Sequence, residues 1–336
     1  MSGGVKSTRS LLIPSLSVAI LAALAPQIGG AANPVDPALN VLWERNLGPR
    51  YDQALYRWAV CSNGRSYFTD ARGRIAALDS DGRVLDDSAR HSELIGTVAI
   101  ACDPQGNLRA VNGGRLLTFS LEGAIGLQSS VDIQKHKLSP SRLLVTPSNS
   151  LIVSGSRNGS AFIHVLTEDG ALVRSFGEPP AEAPASLSRE SARRASIAWD
   201  SVNNRLLHVP MNHFDVRAYD PGGRLLARNP KALAEVEPPS LDPLSGRPRP
   251  NDEVLSVAAL PDGSLALQAA VLAQRSSGKR FRTGVLALLN ADLAVVRRIE
   301  GPVPGILQGS RADGALYFMS ITPGNGIRLI AAKLAE

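Results

Sequence analysis

The chain is poor in the residues that mark several common protein classes. Its 336 residues contain two cysteines and 4% aromatic residues. No run of five or more Lys or Arg occurs, which argues against a nucleic-acid surface despite a formal net charge of +6. A G-x-S-x-G elbow, a phosphate-binding loop and a dinucleotide fingerprint are also missing. Nothing in the sequence therefore points to serine hydrolase or nucleotide chemistry.

Long apolar runs are missing as well, apart from one at the N-terminus. Lys6 and Arg9 precede the apolar run 11–24, and small residues follow at 30–32. A basic start, a short apolar core and a small-residue exit are typical of a secretory signal peptide. An uncleaved anchor is the alternative, which Pro14 disfavours. We expect a signal peptide over residues 1–32 and a periplasmic or secreted chain with no membrane span after its removal.

The sequence does contain many turns between short β-patterned runs. Hydrophobic residues make up 44%, and the 30 Gly and 23 Pro are spread along the chain. Asp-Gly or Gly-Gly separates two alternating runs in "IAALDSDGRVLDD" (75–87), "FIHVLTEDGALVRSFG" (162–177) and "VRAYDPGGRLLARNP" (216–230). Such dipeptides favour tight hairpins, because Gly accepts the positive φ that these turns need.

A second strand-turn-strand unit precedes each of these hairpins, so that four short strands recur about every 40 residues. This period is typical of β-propeller blades. Six units begin near residues 58, 98, 142, 195, 254 and 305, and the last lacks a fourth strand. The segment "VLWERNLGP" (41–49) is similar to the fourth strand "ALVRSFGEP" (171–179). We therefore predict an all-β, six-bladed propeller over residues 33–336, with four-stranded blades and an N-terminal strand that closes the last blade.

The units "IHVLTEDGALVRSFG" and "VRAYDPGGRLLARNP" resemble those of bacterial six-bladed propellers of the TolB-like and NHL-like type. The resemblance covers most of residues 41–336 and rests on repeat-forming residues. It implies the fold, and it leaves both a binding scaffold and a hydrolase open.

Cys61 and Cys102 are 41 residues apart and match in the repeat. Export favours a disulfide between them, and two buried thiols are the alternative. Two lone cysteines do not make a metal site, and we expect no metal site and no cofactor. His208 and His213 in "HVPMNHFD" are the only close His pair, and we read them as a polar turn. "IEGPVPG" (299–305) resembles a stretch of metal-dependent lactonases in which a Glu binds metal, with Pro304 in place of Trp.

Ligands of propellers usually bind at the mouth of the central channel. One mouth is surrounded by the loops between strands 2 and 3 and between successive blades. The residues predicted there are rich in Arg and Asn, which suits a carboxylate, a glycan or a protein loop. This set comprises Tyr51, Tyr56, Arg57, Arg72, Asn112, Arg115, Arg142, Arg157, Asn158, Arg193, Asn212, His213 and Asp215.

Three functions fit these residues. The first is an exported, monomeric scaffold whose channel mouth binds a protein, a glycan or an anionic small molecule. The second is a metal-dependent hydrolase or lyase that uses His213, Asp215 and Glu300. The third is a purely structural partner in an envelope complex, in contact through the long loop 229–253.

Overall fold

The structure, a computed structural model, describes most of the chain beyond the predicted signal peptide. The described residues are 38–48, 51, 56–157, 161–178, 194–211, 214–230, 232–233, 240–241, 248–249, 252–274, 280–300, 303–322 and 326–335. The predicted signal peptide lies outside them. None of the helical segments in these ranges is long and apolar enough to cross a membrane.

Six antiparallel sheets of four strands form a ring, which confirms the predicted six-bladed β-propeller. The first strand of each blade is innermost, and the innermost strands of neighbouring blades contact each other all round the ring. Blade 1 consists of β2 (Tyr56–Val60), β3 (Ser66–Asp70), β4 (Ile75–Leu78) and β5 (Val84–Asp86); blade 2 of β6 (Ala99–Cys102), β7 (Leu108–Asn112), β8 (Arg115–Glu122) and β9 (Ala124–Asp132); and blade 3 of β10 (Ser139–Val145), β11 (Leu151–Arg157), β12 (Ala161–Leu166) and β13 (Leu172–Phe176).

The second half of the ring repeats this order. Blade 4 consists of β14 (Ser196–Asp200), β15 (Arg205–Val209), β16 (Val216–Tyr219) and β17 (Leu225–Asn229); blade 5 of β20 (Glu253–Ala259), β21 (Leu265–Gln274), β22 (Arg280–Leu289) and β23 (Val295–Glu300); and blade 6 of β24 (Ile306–Ser310), β25 (Leu316–Thr322), β26 (Gly326–Leu334) and the N-terminal β1 (Leu39–Asn46). The long connection between blades 4 and 5 carries a small extra ribbon, β18 (Ser240–Leu241) with β19 (Pro248–Arg249), which the sequence pattern does not predict.

The N-terminal strand closes the ring as the sequence predicts. β1 pairs antiparallel with β26 from Leu39 opposite Leu334 to Asn46 opposite Arg328. Closure gives β26 a second ladder partner, so this strand is not left as an edge, and β1 becomes the outer strand of blade 6.

The blades are held together by their apolar faces. Between blades 4 and 5, for example, Leu207 and Val216 of one sheet are buried with Val257 and Leu267 of the other. Because strand residues alternate between the two faces, each central strand contributes side chains to two such interfaces. Packing of this kind makes each blade depend on both of its neighbours.

The outer strand of each of two blades also forms a hydrogen bond to the turn between strands 3 and 4 of the next blade. Arg45 Nε donates to the Gly82 carbonyl oxygen at 2.9 Å, across the closure between blades 6 and 1. Asn229 Nδ2 donates to the Leu293 carbonyl oxygen at 2.7 Å, between blades 4 and 5. These bonds use backbone carbonyl groups at the hairpin tips that the strand ladders leave free.

Cys61 and Cys102 form a disulfide between blades 1 and 2, with Cα atoms 5.1 Å apart. The prediction that they occupy matching positions is wrong. Cys102 is the last residue of β6 and pairs with Leu108, whereas Val60 is the last residue of β2. Cys61 is thus one position further along its blade. Neighbouring strand residues point to opposite faces, so this offset turns Cys61 towards blade 2 and Cys102 towards blade 1.

Candidate functional site

The six innermost strands run in the same direction along the central channel. Each begins at the mouth surrounded by the connections between blades, because the strands within a blade alternate in direction. Innermost strands are also the only ones next to the channel. A solvent-exposed side chain in the middle of an innermost strand therefore faces the channel.

Arg142 is such a side chain. It lies on β10, directly after an irregularity in the pairing of β10 with β11 between Pro140 and Arg142. Bulges of this kind change the direction of a side chain. The side chain of Arg142 is exposed, yet desolvation, followed by the positive charge of Arg57, lowers its pKa to about 10. An exposed guanidinium that is surrounded by protein fits a position in the channel, and it is still charged at neutral pH.

Arg57 is the second cation near this position. It lies on the innermost strand β2 and is half-buried, and its Nε donates to the Val98 carbonyl oxygen at 2.7 Å, just before β6 begins. Among the described residues, Arg142 makes a hydrogen bond only to the carbonyl oxygen of its neighbour Ser141, at 3.3 Å. Within the described part of the chain, no carboxylate pairs with Arg142. The structure therefore brings two of the predicted residues, Arg57 and Arg142, into one electrostatic environment and leaves the charge of Arg142 unneutralised.

Apolar side chains lie next to Arg142 between blades 3 and 4. Leu144 is two residues beyond Arg142 on β10 and so points to the same side of the sheet. Ile197 and Trp199 on β14 pack with Leu144 around the buried Ile152 of β11. Leu144, Ile197 and Trp199 are only partly buried although they lie on innermost strands. Their open surface faces the channel.

A buried imidazole lies behind this apolar group. His208 of β15 is the cross-strand partner of Ile197 and is completely buried. Both of its ring nitrogens lack a hydrogen-bond partner among the described residues. Desolvation, helped by the charge of Arg217 and opposed by that of Asp215, lowers its pKa to about 3. The imidazole is therefore neutral, and its cross-strand partner on β16 is Arg217.

Asp215 was predicted at the mouth, and the structure places it in a buried ion-pair network. Its carboxylate accepts hydrogen bonds from Arg217 Nε at 2.8 Å and from Arg228 Nε at 2.8 Å, one on each oxygen. Burial opposes the charge of Asp215, but the hydrogen bonds from Arg228 and Arg217 outweigh it and lower its pKa. Arg217 also donates to the carbonyl oxygen of Glu178. The network joins β16 and β17 of blade 4 to the end of blade 3.

Other predicted residues hold loops in place. Asn112 Nδ2 donates to the carbonyl oxygens of Glu93 and of Ile95, at 2.8 Å for the second, and so fixes the 3-10 turn Ser92–Leu94. Arg157 Nε donates to the His136 carbonyl oxygen at 3.1 Å, between β11 and the connection into blade 3. The amide side chain and the guanidinium thus stabilise backbone near the mouth.

The rest of the predicted set is dispersed. Arg72 lies in the exposed turn between β3 and β4, and Arg115 is exposed at the start of β8. Tyr51 is buried against Phe68, with ring centroids 5.1 Å apart. The predictions that fall outside the described residues or side chains are Tyr56, Asn158, Arg193, Asn212, His213 and Glu300.

No group of three or more His, Cys, Asp or Glu that could hold a metal ion occurs in the described ranges. His213 and the side chain of Glu300 belong to the undescribed part, and both oxygens of Asp215 are engaged by arginines. The metal-dependent reading therefore stays a prediction.

The fold is shared with solved propellers of several kinds. Comparison with models of known families and with curated proteins gives no match. A member of the DUF4221 family from Bacteroides vulgatus is 10% identical, with a TM-score of 0.53 over 90% of this chain and 99% of its own. A gluconolactonase from Xanthomonas campestris is 13% identical, with a TM-score of 0.51 over 90% and 98%. The virginiamycin B lyase from Staphylococcus aureus is 12% identical, with a TM-score of 0.50 over 88% and 100%.

At these identities the comparisons show the fold alone. They place the chain among six-bladed β-propellers whose neighbours include a lactonase and a lyase, which fits the enzymatic alternative and confirms neither hypothesis. The TolB-like or NHL-like type stays a prediction.

The apolar part of the site is not predicted from the sequence. Leu144, Ile197 and Trp199 read as ordinary core residues in a strand pattern, and loop residues alone were considered for the mouth. Trp199 carried a signal, because only three Trp occur in the chain and this one falls on a predicted innermost strand.

Proposed function

We propose that the protein is an exported scaffold that binds an anionic small molecule at the channel mouth. The observation that carries this proposal is Arg142, an exposed guanidinium on an innermost strand that no carboxylate of the described residues pairs with and that the charge of Arg57 also affects. The guanidinium of Arg142, which no carboxylate of the described residues pairs with, is held in the positive field of Arg57 at a cost in electrostatic free energy. An anion removes that repulsion and gains charge-assisted hydrogen bonds.

The geometry of arginine favours carboxylate or phosphate groups. The guanidinium presents its N–H donors in a planar fork that matches two oxygens, and Arg142 uses one nitrogen for its only hydrogen bond. Arg57 is oriented by the Val98 carbonyl oxygen, so its position is fixed before a ligand binds. This preorganisation reduces the entropy lost on binding.

The test is a binding screen by calorimetry with mono-, di- and tricarboxylates, sugar acids, phosphate and sulfate. Arg142→Gln removes the charge with little change in length. Arg83→Gln is the matched control, because Arg83 is exposed in the turn between β4 and β5, away from this mouth. We expect at least one anion to lose tenfold or more in affinity with Arg142→Gln and less than twofold with Arg83→Gln. Equal affinities in the three proteins, or no binding at all, would overturn the proposal.

Metal analysis of the same purified protein tests the hydrolase or lyase hypothesis. About one equivalent of bound divalent metal, lost in His213→Ala and Glu300→Gln, would favour the enzyme. Metal below a tenth of an equivalent would favour the scaffold.

A further inference from the structure

The space between blades 3 and 4 indicates what kind of anion is bound. We infer that the ligand is a carboxylate with an extended apolar part, its acid group at Arg142 and its apolar part along Leu144, Ile197 and Trp199. This inference rests on the proposed function, since it specifies the ligand of the same site.

The order of the residues along the channel sets the direction of the ligand. β10 begins at the mouth, so Arg142 lies nearer the mouth and Leu144 lies deeper by two residues, roughly 7 Å. On the facing blade, Ile197 is the second residue of β14 and Trp199 is the fourth. A charged group at the mouth and an apolar group deeper in the channel match this gradient from cation to hydrocarbon.

The interface between blades 3 and 4 also buries fewer apolar side chains than the other interfaces do among the described residues. Its fully buried apolar side chains among the described residues are Ile152, Ile163, Leu206 and Tyr219. Between blades 4 and 5, by contrast, sixteen apolar side chains are buried together, among them Val254 and Val257 of the innermost strand β20. Apolar surface is therefore left uncovered at the channel side of blades 3 and 4, and a ligand that covers it gains affinity from the hydrophobic effect.

The residue directly behind Ile197 is uncharged. Ile197 is backed by His208, whose buried imidazole is neutral and makes no hydrogen bond within the described part of the protein. A sugar acid needs hydrogen-bond partners for each hydroxyl, and the walls formed by Leu144, Ile197 and Trp199 offer side chains that are hydrocarbon or indole. The apolar acid is the better match for these walls.

The experiment measures binding of acetate, butanoate, hexanoate and octanoate by calorimetry and by tryptophan fluorescence. Affinity is expected to rise about fourfold for each added methylene group. Octanol, which keeps the tail and lacks the charge, is expected to bind at least tenfold more weakly than octanoate. The fluorescence change on binding is expected to vanish in Trp199→Phe, because Trp43 and Trp58 lie at the boundary of blades 6 and 1.

Two variants separate the charge from the apolar wall. Arg142→Gln is expected to bring octanoate down to the affinity of octanol and to leave the dependence on chain length unchanged. Ile197→Thr is expected to reduce the gain per methylene group and to keep the preference for acid over alcohol. Val173→Thr is the matched control, since Val173 is exposed on the outer strand β13.

The outcomes distinguish the anion site at Arg142 from the apolar character of the ligand. Binding that depends on Arg142 but is equal for acetate and octanoate, or stronger for gluconate, overturns the apolar ligand and leaves the anion site standing. If no acid binds with any dependence on Arg142, the proposed function fails and this inference fails with it. A gain per methylene group that is the same in Ile197→Thr as in the wild type also overturns the assignment of the wall.

Discussion

Cys61 and Cys102 are bonded across the first boundary of the ring, with Cα atoms 5.1 Å apart and 41 residues between them in sequence. Each residue is at the end of an innermost strand, but they are offset by one position. The offset turns the two side chains towards each other, which a strictly repeated pair does not do.

The disulfide is expected to stabilise the ring measurably. A loop of this length corresponds to about 4 kcal/mol of free energy of unfolding in the chain-entropy description. Urea denaturation with and without a reductant checks this value, and the variant Cys61→Ala/Cys102→Ala should match the reduced wild type. Two reactive thiols in a titration of the native, oxidised protein would contradict the bond.

Gly82 is expected to be a sensitive turn glycine at the ring closure. Its φ is +74°, and a Cβ would lie 2.6 Å from the Trp43 ring. That ring is fixed by a hydrogen bond from Nε1 to the Ser80 carbonyl oxygen at 2.9 Å and by an edge contact with Tyr317. Gly82→Ala should therefore destabilise the protein in urea by more than the conformational cost of roughly 1–2 kcal/mol.

Gly123→Ala is the matched control for this prediction. Gly123 has a similar φ of +83°, and its added Cβ would meet nothing within 4 Å. Equal losses in the two variants would mean that contact with Trp43 does not contribute.

The stability of the protein is expected to decrease in mild acid because of His208. Its pKa is about 3 in the folded state against about 6.5 in a free chain, so the unfolded state binds the proton first. His208 makes its full contribution to the free energy of unfolding above pH 6.5. This contribution falls by up to about 1.4 kcal/mol per pH unit as the pH drops towards 3.

His208→Leu should flatten this dependence between pH 6.5 and 4.5 in urea titrations. His164, whose pKa is lowered to about 4 mainly by desolvation, adds a second contribution of the same sign, so part of the slope persists. The same slope in His208→Leu and in the wild type would refute the assignment.

Arg217→Gln is expected to destabilise blade 4 by about 3 kcal/mol. The change leaves the buried Asp215 with Arg228 as its remaining partner and removes the bond to the Glu178 carbonyl. Arg224→Gln is the control, because Arg224 is 79% exposed and its pair with Asp220 is worth at most about 1 kcal/mol. Thermal denaturation of both variants makes the comparison, and a loss in Arg217→Gln as small as in the control would contradict a structural role.

Part of the site could be predicted from the sequence and part could not. Arg57 and Arg142 are predicted at the mouth because they fall where one blade connects to the next, and the repeat fixes the end of the channel at which these connections lie. Asn112 and Asp215 were predicted from the same logic, but their side chains are bonded to the backbone of a neighbouring loop or to Arg217 and Arg228. A repeat pattern contains no information on such partners, since they come from other blades or from irregular connections.

What the sequence by itself determined is the local order of the fold: hairpins at Asp-Gly and Gly-Gly turns, a period of about 40 residues, six units and a separated strand that closes the sixth. These features depend on φ preferences and on alternation along single strands, which act over a few residues. Only the tertiary structure decided that Cys61 points at Cys102 and that Leu144 and Trp199 remain open beside Arg142. Both outcomes depend on how one blade is placed against the next, and a shift of one residue in that placement turns a side chain to the other face.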